Sequence, residues 1–204
     1  MSLMQRILHD APRKALDILT GATWTKWSRV VMAEEMQKWV RELGPAQLDT
    51  LEISGTAWSN FGFKSYQTTR YPDYDVCEGT LGDQTFDLVI ADQVFEHLLW
   101  PYRAGRNIYK MVRSDGYVLL SVPFLVRIHG VVDCTRWTET GLKYFLAECG
   151  FPLSTIRTGS WGNRSCVKAN LKNNWVRYRR YIHSLRNEAK FPYVVWALAR
   201  KPTD

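Results

Sequence analysis

The stretch FDLVIADQVFEH, residues 86–97, decides how the rest of the sequence is interpreted. Residues 86–91 are nearly all apolar, as expected of a strand covered on both faces of a sheet. Polar and charged side chains begin where that run stops, at Asp92. Because ligands of open α/β sheets bind beyond the carboxyl ends of the strands, we expect the residues after 91 to border a binding site.

Strand-like and helix-like patterns alternate on both sides of this stretch. Further strands are predicted at residues 48–54, 66–69, 117–122, 153–158 and 193–199. Helices are predicted at 101–112 and at 139–148, the second capped by Thr138 and closed by Gly150. Turns are predicted at 71–75 and at 113–116. This alternation predicts an α/β fold with a mostly parallel sheet and helices on both faces.

The length of 204 residues suits one domain, residues 1–204, with three parts. Residues 1–47 are interpreted as a helical cap, with Trp24 and Trp27 on a loop or first turn. Residues 48–151 form the core that binds the ligand. Residues 152–204 contain the last strands and, at 168–186, a basic helical insertion before the final strand.

The net charge of +7 is concentrated near the carboxyl end. No acidic residue lies between Glu148 and Glu188, whereas eight Lys and Arg residues do. Three interpretations remain open: a solvated helix face, a patch for a phosphorylated or nucleotide-linked acceptor, and a nucleic-acid surface. Nucleic acid is the least favoured of the three, because no RNA-binding motif is recognisable.

The cysteines and the apolar residues indicate whether the protein binds a metal and in which compartment it functions. The four cysteines form no C-x-x-C pair, so we expect no metal site. Their scattered spacing also favours a reducing compartment. Residues 1–14 have no apolar centre of a signal peptide, and no run of 18 apolar residues exists. We expect a cytoplasmic protein without a membrane span. The nine Trp and ten Tyr predict either a bulky core or an aromatic pocket.

Two turns are candidates for ligand contact. In LEISG, residues 51–55, a strand ends in an acid and then a glycine turn, whose N–H groups can face a ligand. The acids Asp73, Asp75 and Glu78 follow about 20 residues later, where nucleotide-binding α/β folds hold ribose hydroxyls. The alternatives are a plain β-turn and an Asp-rich surface turn.

Residues 86–97, together with MVRSDGYVLL at 111–120, resemble class I S-adenosylmethionine-dependent methyltransferases of the small-molecule, type 11-like subgroup. Members commonly read "FDLV" followed by "LEH", and then an "LRPGG" turn before the fifth strand. The resemblance covers residues 48–151. It implies a Rossmann-like sheet of seven strands, S-adenosylmethionine as cofactor and S-adenosylhomocysteine as product. Residues 54–58 read SGTAW, with one glycine where the family has alternate glycines.

The resemblance also implies which residues contact the cofactor. The turn after the first strand of the core would border the methionine part through Glu52, Ser54, Gly55 and Thr56. The acidic turn would hold the ribose through Asp73 or Asp75, and the adenine through Cys77 and Glu78. The segment after the fourth strand would form the floor with Asp92, Gln93 and Val94, and His97 would face the cofactor or the acceptor.

The loop after the fifth strand supplies candidates for catalysis. His129 is the best general base, because an unperturbed imidazole accepts a proton near neutral pH. Asp133 would orient His129, and Arg136 would bind an anionic group or pair with Asp133. His97 is a further catalytic candidate. The alternative is a structural contact in each case. The residues predicted to contact the acceptor are Trp24, Trp27, Trp58, Arg127, His129, Arg136 and Trp137.

These expectations lead to a small-molecule methyltransferase that modifies a hydroxyl of a sugar or natural product. Methylation of nitrogen or carbon remains open. A catalytically degenerate binding module is an alternative, suggested by the missing glycines, and an RNA methyltransferase is another. The oligomeric state is left open.

Overall fold

A computed structural model describes residues 17–172 and 175–203, so residues 1–16 of the predicted helical cap lie outside the described residues. The strands in chain order are β1 (Ala22–Lys26), β2 (Asp49–Ile53), β3 (Ser65–Thr69), β4 (Phe86–Asp92), β5 (Val112–Pro123), β6 (Ile156–Trp161), β7 (Arg177–Arg179) and β8 (Val194–Arg200). The longer helices are α1 (Val30–Glu42), α2 (Pro101–Met111), α3 (Glu139–Glu148) and α4 (Arg164–Lys172).

The central sheet has the strand order β3-β2-β4-β5-β8-β6. The first four strands of this order run parallel, and β8 is antiparallel to β5 and β6. The expectation of a mostly parallel α/β sheet is confirmed. The expectation of seven strands is wrong, because the main sheet has six within the described residues. Between β3 and β4 the chain runs through turns around Tyr74 and Glu78.

Alternate residues of β4 explain why helices cover both faces. Leu88 and Ile90 face a cluster that contains Met36 of α1, while Val89 and Ala91 face a cluster that contains Ile108 of α2. All six of these side chains are almost completely buried. The apolar run of residues 86–91 therefore serves two cores at once, as a central strand of a covered sheet must.

The two parts flanking the core differ from the helical expectation. β1 pairs antiparallel with β7, forming a two-stranded ribbon apart from the main sheet. Trp24 therefore lies on a strand, and the basic segment predicted as a helix forms α4, then β7, then turns. An ion pair between Asp17 and Arg177, 2.9 Å long, links the two segments. Strand pairing with a distant partner outweighed the local helical pattern.

The turn predicted at residues 113–116 lies within β5. The register of β5 against β4 shifts by extra residues between the pairs Phe86–Val112 and Leu88–Tyr117. Asp115, with φ of +67°, takes the left-handed conformation within this irregularity. The turn residues are thus accommodated as a bulge, which lets pairing resume on its far side.

The basic character of the carboxyl-terminal segment is reduced by acids from elsewhere. Arg157 pairs with Glu42, Arg164 pairs with Glu188, and Arg177 pairs with Asp17. Within residues 17–172 and 175–203, none of the helices combines the length and apolar character needed to cross a bilayer.

Candidate functional site

The carboxyl ends of β2 and β4 open on a cavity of about 470 Å³, called the main cavity below. Its walls come from the turns after these strands and from the loop after β5. The lining residues are Ile53, Ser54, Tyr71, Tyr74, Asp75, Val76, Cys77, Glu78, Gln93, Val94, His97, Leu98, Leu99, Trp100 and Val132. This is the edge of the sheet where α/β folds bind their ligands.

The turn after β2 is held in place by Glu52. This carboxylate is 1% exposed and accepts hydrogen bonds from the backbone N–H groups of Ala57 and Trp58, both at 3.0 Å. It also accepts one from the Tyr66 hydroxyl at 2.6 Å. Glu52 therefore shapes the turn, and all of these contacts are internal to the protein.

Ser54 and Gly55 form the bend of the same turn. Ser54 has φ of +56°, a left-handed conformation that few non-glycine residues adopt. A Cβ on Gly55 would lie 2.3 Å from Oε1 of Glu52. The single glycine of this motif therefore stands where the turn passes closest to the buried carboxylate.

The acidic turn forms the opposite wall. Asp75 accepts a hydrogen bond from the Cys77 N–H at 2.8 Å, which fixes the turn that carries both residues. Burial raises the pKa of the Cys77 thiol, so Cys77 is a neutral, apolar wall residue. The Tyr74 hydroxyl donates to the Gly79 carbonyl at 2.9 Å, and burial raises the pKa of Tyr74 to about 12.

A second, more polar space of about 710 Å³, called the side cleft, adjoins this wall. It is lined by Ser54, Gly55, Thr56, Thr68, Thr69, Arg70, Asp73 and Tyr74. Ser54 and Tyr74 border both spaces. Asp75 lines the main cavity and Asp73 the side cleft, so the choice of ribose ligand between these two acids remains open.

The floor after β4 is fixed by a polar network. Gln93, with φ of +60°, donates through its side-chain amide to the Ser121 hydroxyl at 3.0 Å. The same hydroxyl donates to Asp92. Asp92 therefore supports the floor through Ser121 and is not itself a lining residue of the main cavity. Gln93 and Val94 line the main cavity, and His97 stands at its mouth.

The loop after β5 brings His129 beside His97. The two imidazole rings lie 5.2 Å apart, edge to face. Asp133 accepts a hydrogen bond from the His129 backbone N–H at 2.8 Å, and its Oδ2 lies 3.3 Å from Nδ1 of His129. Both terminal nitrogens of Arg136 donate to the same carboxylate. Hydrogen bonding by Arg136 lowers the pKa of Asp133 to about 2, so Asp133 remains a carboxylate at neutral pH.

The residues predicted to contact the acceptor are dispersed. Trp58 is 5% exposed and packs on Phe61 in the core around α1, so it does not cover the main cavity. Trp27 is buried and stacks on His183, with ring centroids 4.0 Å apart. Trp24 is 89% exposed on β1.

Two more predicted contacts lie on the loop after β5 and its continuation. Trp137 packs against Phe145 of α3, with ring centroids 5.1 Å apart. Arg127 is exposed on the loop. Of the predicted acceptor contacts, His129 and Arg136 are those that the structure brings next to His97.

Several residues of the site were not singled out by sequence reasoning. Tyr71, Leu98, Leu99 and Trp100 supply most of the apolar wall of the main cavity. Three of these residues, Leu98, Leu99 and Trp100, form an apolar run directly before Pro101. Exposed apolar side chains grouped in a loop indicate a binding site, so this run is a sequence signal that could have found them. Trp175 lies 5.4 Å from the ring of His129. Because Trp175 belongs to the distant basic segment, no local sequence pattern predicts this contact.

The side chains of the main cavity fit an adenosine-bearing cofactor. Tyr71 and Trp100 offer aromatic surface for a base, and Asp75 and Glu78 offer carboxylate oxygens for ribose hydroxyls. Because Trp58 points into the core, its bulk does not obstruct the approach to Ser54 and Gly55. The residues that would hold the cofactor are therefore those of the turns after β2, β3 and β4.

Comparison with known proteins bears directly on this fold and site. A family model described as a methyltransferase domain matches residues 32–120, which run from α1 through most of β5. No curated protein sequence matches the chain significantly.

Solved structures share the fold. An S-adenosylmethionine-dependent methyltransferase from Thermotoga maritima, described as a possible histamine N-methyltransferase, has a TM-score of 0.55 at 11% identity, covering 96% of this chain and 97% of its own. A Haemonchus contortus phosphoethanolamine N-methyltransferase 2, bound to phosphomonomethylethanolamine and S-adenosylhomocysteine, has a TM-score of 0.55 at 13% identity, covering 83% and 53%. A Mesorhizobium loti S-adenosylmethionine-dependent methyltransferase has a TM-score of 0.54 at 12% identity, covering 82% and 96%.

At these identities the structural similarity establishes the fold, and the model of the methyltransferase domain matches 89 of the 204 residues. The domain matched over residues 32–120 and the shared fold indicate an S-adenosylmethionine-dependent methyltransferase, which takes its methyl group from S-adenosylmethionine.

Proposed function

We propose that this methyltransferase modifies a hydroxyl group of a small molecule, such as a sugar or a natural-product ring. The observation that supports this acceptor most directly is the pair of histidines at the mouth of the main cavity. His97 lines the cavity, and His129 lies next to it with Asp133 behind. A hydroxyl acceptor needs a base, and this pair supplies one.

The chemistry requires little covalent participation by the protein. S-Adenosylmethionine supplies an electrophilic methyl group on a sulfonium. The acceptor oxygen forms a bond to the methyl carbon, while the sulfur–methyl bond breaks and leaves its electron pair on sulfur. The hydroxyl proton passes to the imidazole of His129. Positioning of the acceptor contributes much of the rate in such reactions.

Asp133 is suited to support the base. Its carboxylate stays charged at neutral pH because Arg136 stabilises it. A fixed negative charge next to Nδ1 of His129 favours the imidazolium that forms when the proton is taken up. Asp133 is 2% exposed, so water screens this interaction weakly.

The acceptor would enter beside Trp175 and the loop of residues 124–137. Trp175 faces the ring of His129 at 5.4 Å, and the guanidinium of Arg29 lies 5.7 Å from the Trp175 ring. An aromatic side chain here suits a ring-shaped acceptor. The pairing of Arg157, Arg164 and Arg177 with acids weakens the case for nucleic acid as acceptor.

The proposal is tested first by binding and then by turnover. We expect S-adenosylhomocysteine to bind at micromolar concentration in a calorimetric titration. A panel of monosaccharides, sugar nucleotides and phenolic rings is then assayed for S-adenosylhomocysteine release. His129→Gln should lower turnover by roughly 10²- to 10⁴-fold, with the affinity for S-adenosylhomocysteine unchanged.

His183→Gln is the matched control, because it removes an imidazole outside this pair. No binding of S-adenosylhomocysteine at millimolar concentration would overturn the enzyme as a stand-alone catalyst. Equal turnover by His129→Gln and the wild type would overturn the role of His129. Turnover with amines and none with hydroxyls would overturn the proposed acceptor class.

We also propose that the protein functions in the cytoplasm. Cys77, Cys134, Cys149 and Cys166 are all free thiols. Unpaired cysteines are typical of reducing compartments.

A further inference from the structure

Glu96 is a buried carboxylate without a partner. Its side chain is 1% exposed, and within the described residues neither of its oxygens has a hydrogen-bond partner. An unpartnered buried carboxylate is costly, because water is removed from the charge and nothing replaces it. Such a group in a native fold points to a missing partner.

Two histidines converge on this carboxylate. One ligand atom each from Glu96, His97 and His129 lie within 4.8 Å of one another. Nε2 of His97 is 3.8 Å from Oε1 of Glu96. Ligands of a tetrahedral zinc ion, with bonds of about 2 Å, lie roughly 3.3 Å apart. Movements of about an ångström at the side-chain ends would therefore bring the three groups to bonding distance.

A hydrogen-bond acceptor on the far side orients the imidazole of His97. Nδ1 of His97 lies 2.6 Å from the Val132 carbonyl, which only accepts, so Nδ1 carries the proton and Nε2 presents its lone pair toward Glu96. Nδ1 of His129 lies 3.3 Å from Oδ2 of Asp133 but makes no hydrogen bond to it. Metal-binding histidines usually have such a carbonyl or carboxylate on the second ring nitrogen.

The surrounding charges are close to balanced. Arg29 and Arg136 lie near enough to Glu96 to favour its charged form, and they would oppose a nearby cation. However, Arg136 is bound by the Asp133 carboxylate, and Arg29 donates to the side chain of Gln93 at 3.4 Å. Glu96 and Asp133 together offset the two guanidinium charges, so a divalent ion would add charge to a site that is otherwise near neutral.

We propose that Glu96, His97 and His129 form a binding site for a borderline divalent cation such as Zn²⁺. Two imidazoles and one carboxylate are a common ligand set for such ions. His97 also lines the main cavity, and His129 lies 5.4 Å from Trp175, where the acceptor is proposed to enter, so the cluster lies between the two spaces. The expectation of no metal site is based on the cysteine spacing alone. Cysteine spacing carries no information about histidine and carboxylate ligands.

A cation at this site would also take part in the proposed methyl transfer. Only this catalytic role of the cation rests on the proposed function. A hydroxyl bound to a divalent cation gives up its proton more readily than a free one. In the metal-bound state the cation would activate the acceptor oxygen, and His129 would hold the cation. Binding of the ion is a separate property, which can be measured without any acceptor.

The test uses the full chain after treatment with a chelator and dialysis. Co²⁺ is titrated in as a spectroscopic probe, and Zn²⁺ then competes with it. We expect one equivalent of Co²⁺ to produce the visible absorption of a low-coordinate nitrogen–oxygen site, and Zn²⁺ to abolish it. Glu96→Gln and His129→Gln should each weaken Zn²⁺ binding by more than the roughly 10- to 100-fold typical of losing an outer partner.

Glu148→Gln and His183→Gln are the controls, since each removes a group of the same kind outside the cluster. Thermal unfolding monitors the fold, and Zn²⁺ should raise the midpoint of the wild type and of both controls but not of Glu96→Gln. Equal Zn²⁺ affinity in Glu96→Gln and the wild type, or no Co²⁺ spectrum at millimolar concentration, would overturn the site. Binding of S-adenosylhomocysteine, measured in chelator, reports on the proposed function separately.

Discussion

Two buried glutamates at the same edge of the sheet have opposite surroundings. Glu52, at the end of β2, and Glu96, just after β4, are each 1% exposed. Glu52 accepts hydrogen bonds from two backbone N–H groups and from a tyrosine hydroxyl. Glu96 has no hydrogen-bond partner for its carboxylate within residues 17–172 and 175–203.

This difference separates a structural role for Glu52 from a ligand-binding role for Glu96. The hydrogen bonds of Glu52 offset the cost of burying its charge, and they fix the turn that borders the main cavity. No hydrogen bond to the Glu96 side chain offsets this cost within the described residues, although His97, Arg29 and Arg136 lie near enough to favour its charged form, and a ligand that binds the carboxylate would supply the missing partner. Burial alone therefore does not identify a functional acid, whereas burial combined with missing partners does.

The largest effect is expected from Glu52→Gln. The amide presents N–H groups where the carboxylate accepted three hydrogen bonds, so buried donors lose their partner. We expect a loss of about 3 kcal/mol in the free energy of unfolding, measured by urea denaturation. A loss below about 1 kcal/mol would mean that the turn does not depend on this carboxylate.

Gly55→Ala tests the same turn from its other side. The added Cβ would lie 2.3 Å from Oε1 of Glu52, so either the turn or the carboxylate must move. We expect a loss of about 2 kcal/mol in the free energy of unfolding and weaker binding of S-adenosylhomocysteine in calorimetry. Gly79→Ala is the control, because nothing lies within 4 Å of its added Cβ. Equal behaviour of both variants would contradict the close approach.

Glu96→Gln should have the opposite sign to Glu52→Gln. An amide of the same shape needs no desolvation of a charge, and no hydrogen bond to the carboxylate is lost. In the presence of chelator we expect the free energy of unfolding to stay the same or rise by about 1 kcal/mol. A clear destabilisation in urea would show that the carboxylate has a structural partner, and the contrast with Glu52 would disappear.

Asp49, at the amino end of β2, extends the comparison to a partly buried carboxylate. Hydrogen bonds from Ser65, Arg113 and Lys64 lower its pKa to about 2, from an ordinary value of 3.8. Because the folded-state pKa is lowered, this stabilisation is complete above pH 4 and is lost as the pH falls from 4 toward 2. Asp49→Asn should flatten the dependence of the unfolding midpoint on pH in that window. An unchanged acid profile would contradict the pKa shift.

Much of the core was predictable because its patterns are local. Residues 86–91 are apolar except for Asp87, and β4 spans Phe86–Asp92. The predicted capping of α3 by Thr138 is confirmed, since its hydroxyl accepts a hydrogen bond from the Gly141 N–H at 3.0 Å. The family resemblance, which rests on these same segments, is supported by the matched domain.

The parts that sequence reasoning missed depend on distant partners. β1 and β7 are short and polar, and each becomes a strand through pairing with the other. The cluster around Glu96 joins the segment after β4 to the loop after β5, and the Cys134 N–H donates to the Glu96 backbone carbonyl at 2.7 Å. The absence of side-chain partners at Glu96 cannot be read from its neighbours in sequence. It is a property of the packed site.

The ribbon of β1 and β7 has a consequence for how the chain is made. Its strands are separated by about 155 residues, as in the hydrogen bond from the Thr23 hydroxyl to the Tyr178 carbonyl. During synthesis β1 leaves the ribosome early and must wait for β7, because strands so far apart pair late. Until then Trp27 lacks its stacking partner His183. β1 is thus translated well before β7 and pairs late, and during that interval a nascent chain would expose Trp24 and Trp27 to chaperones.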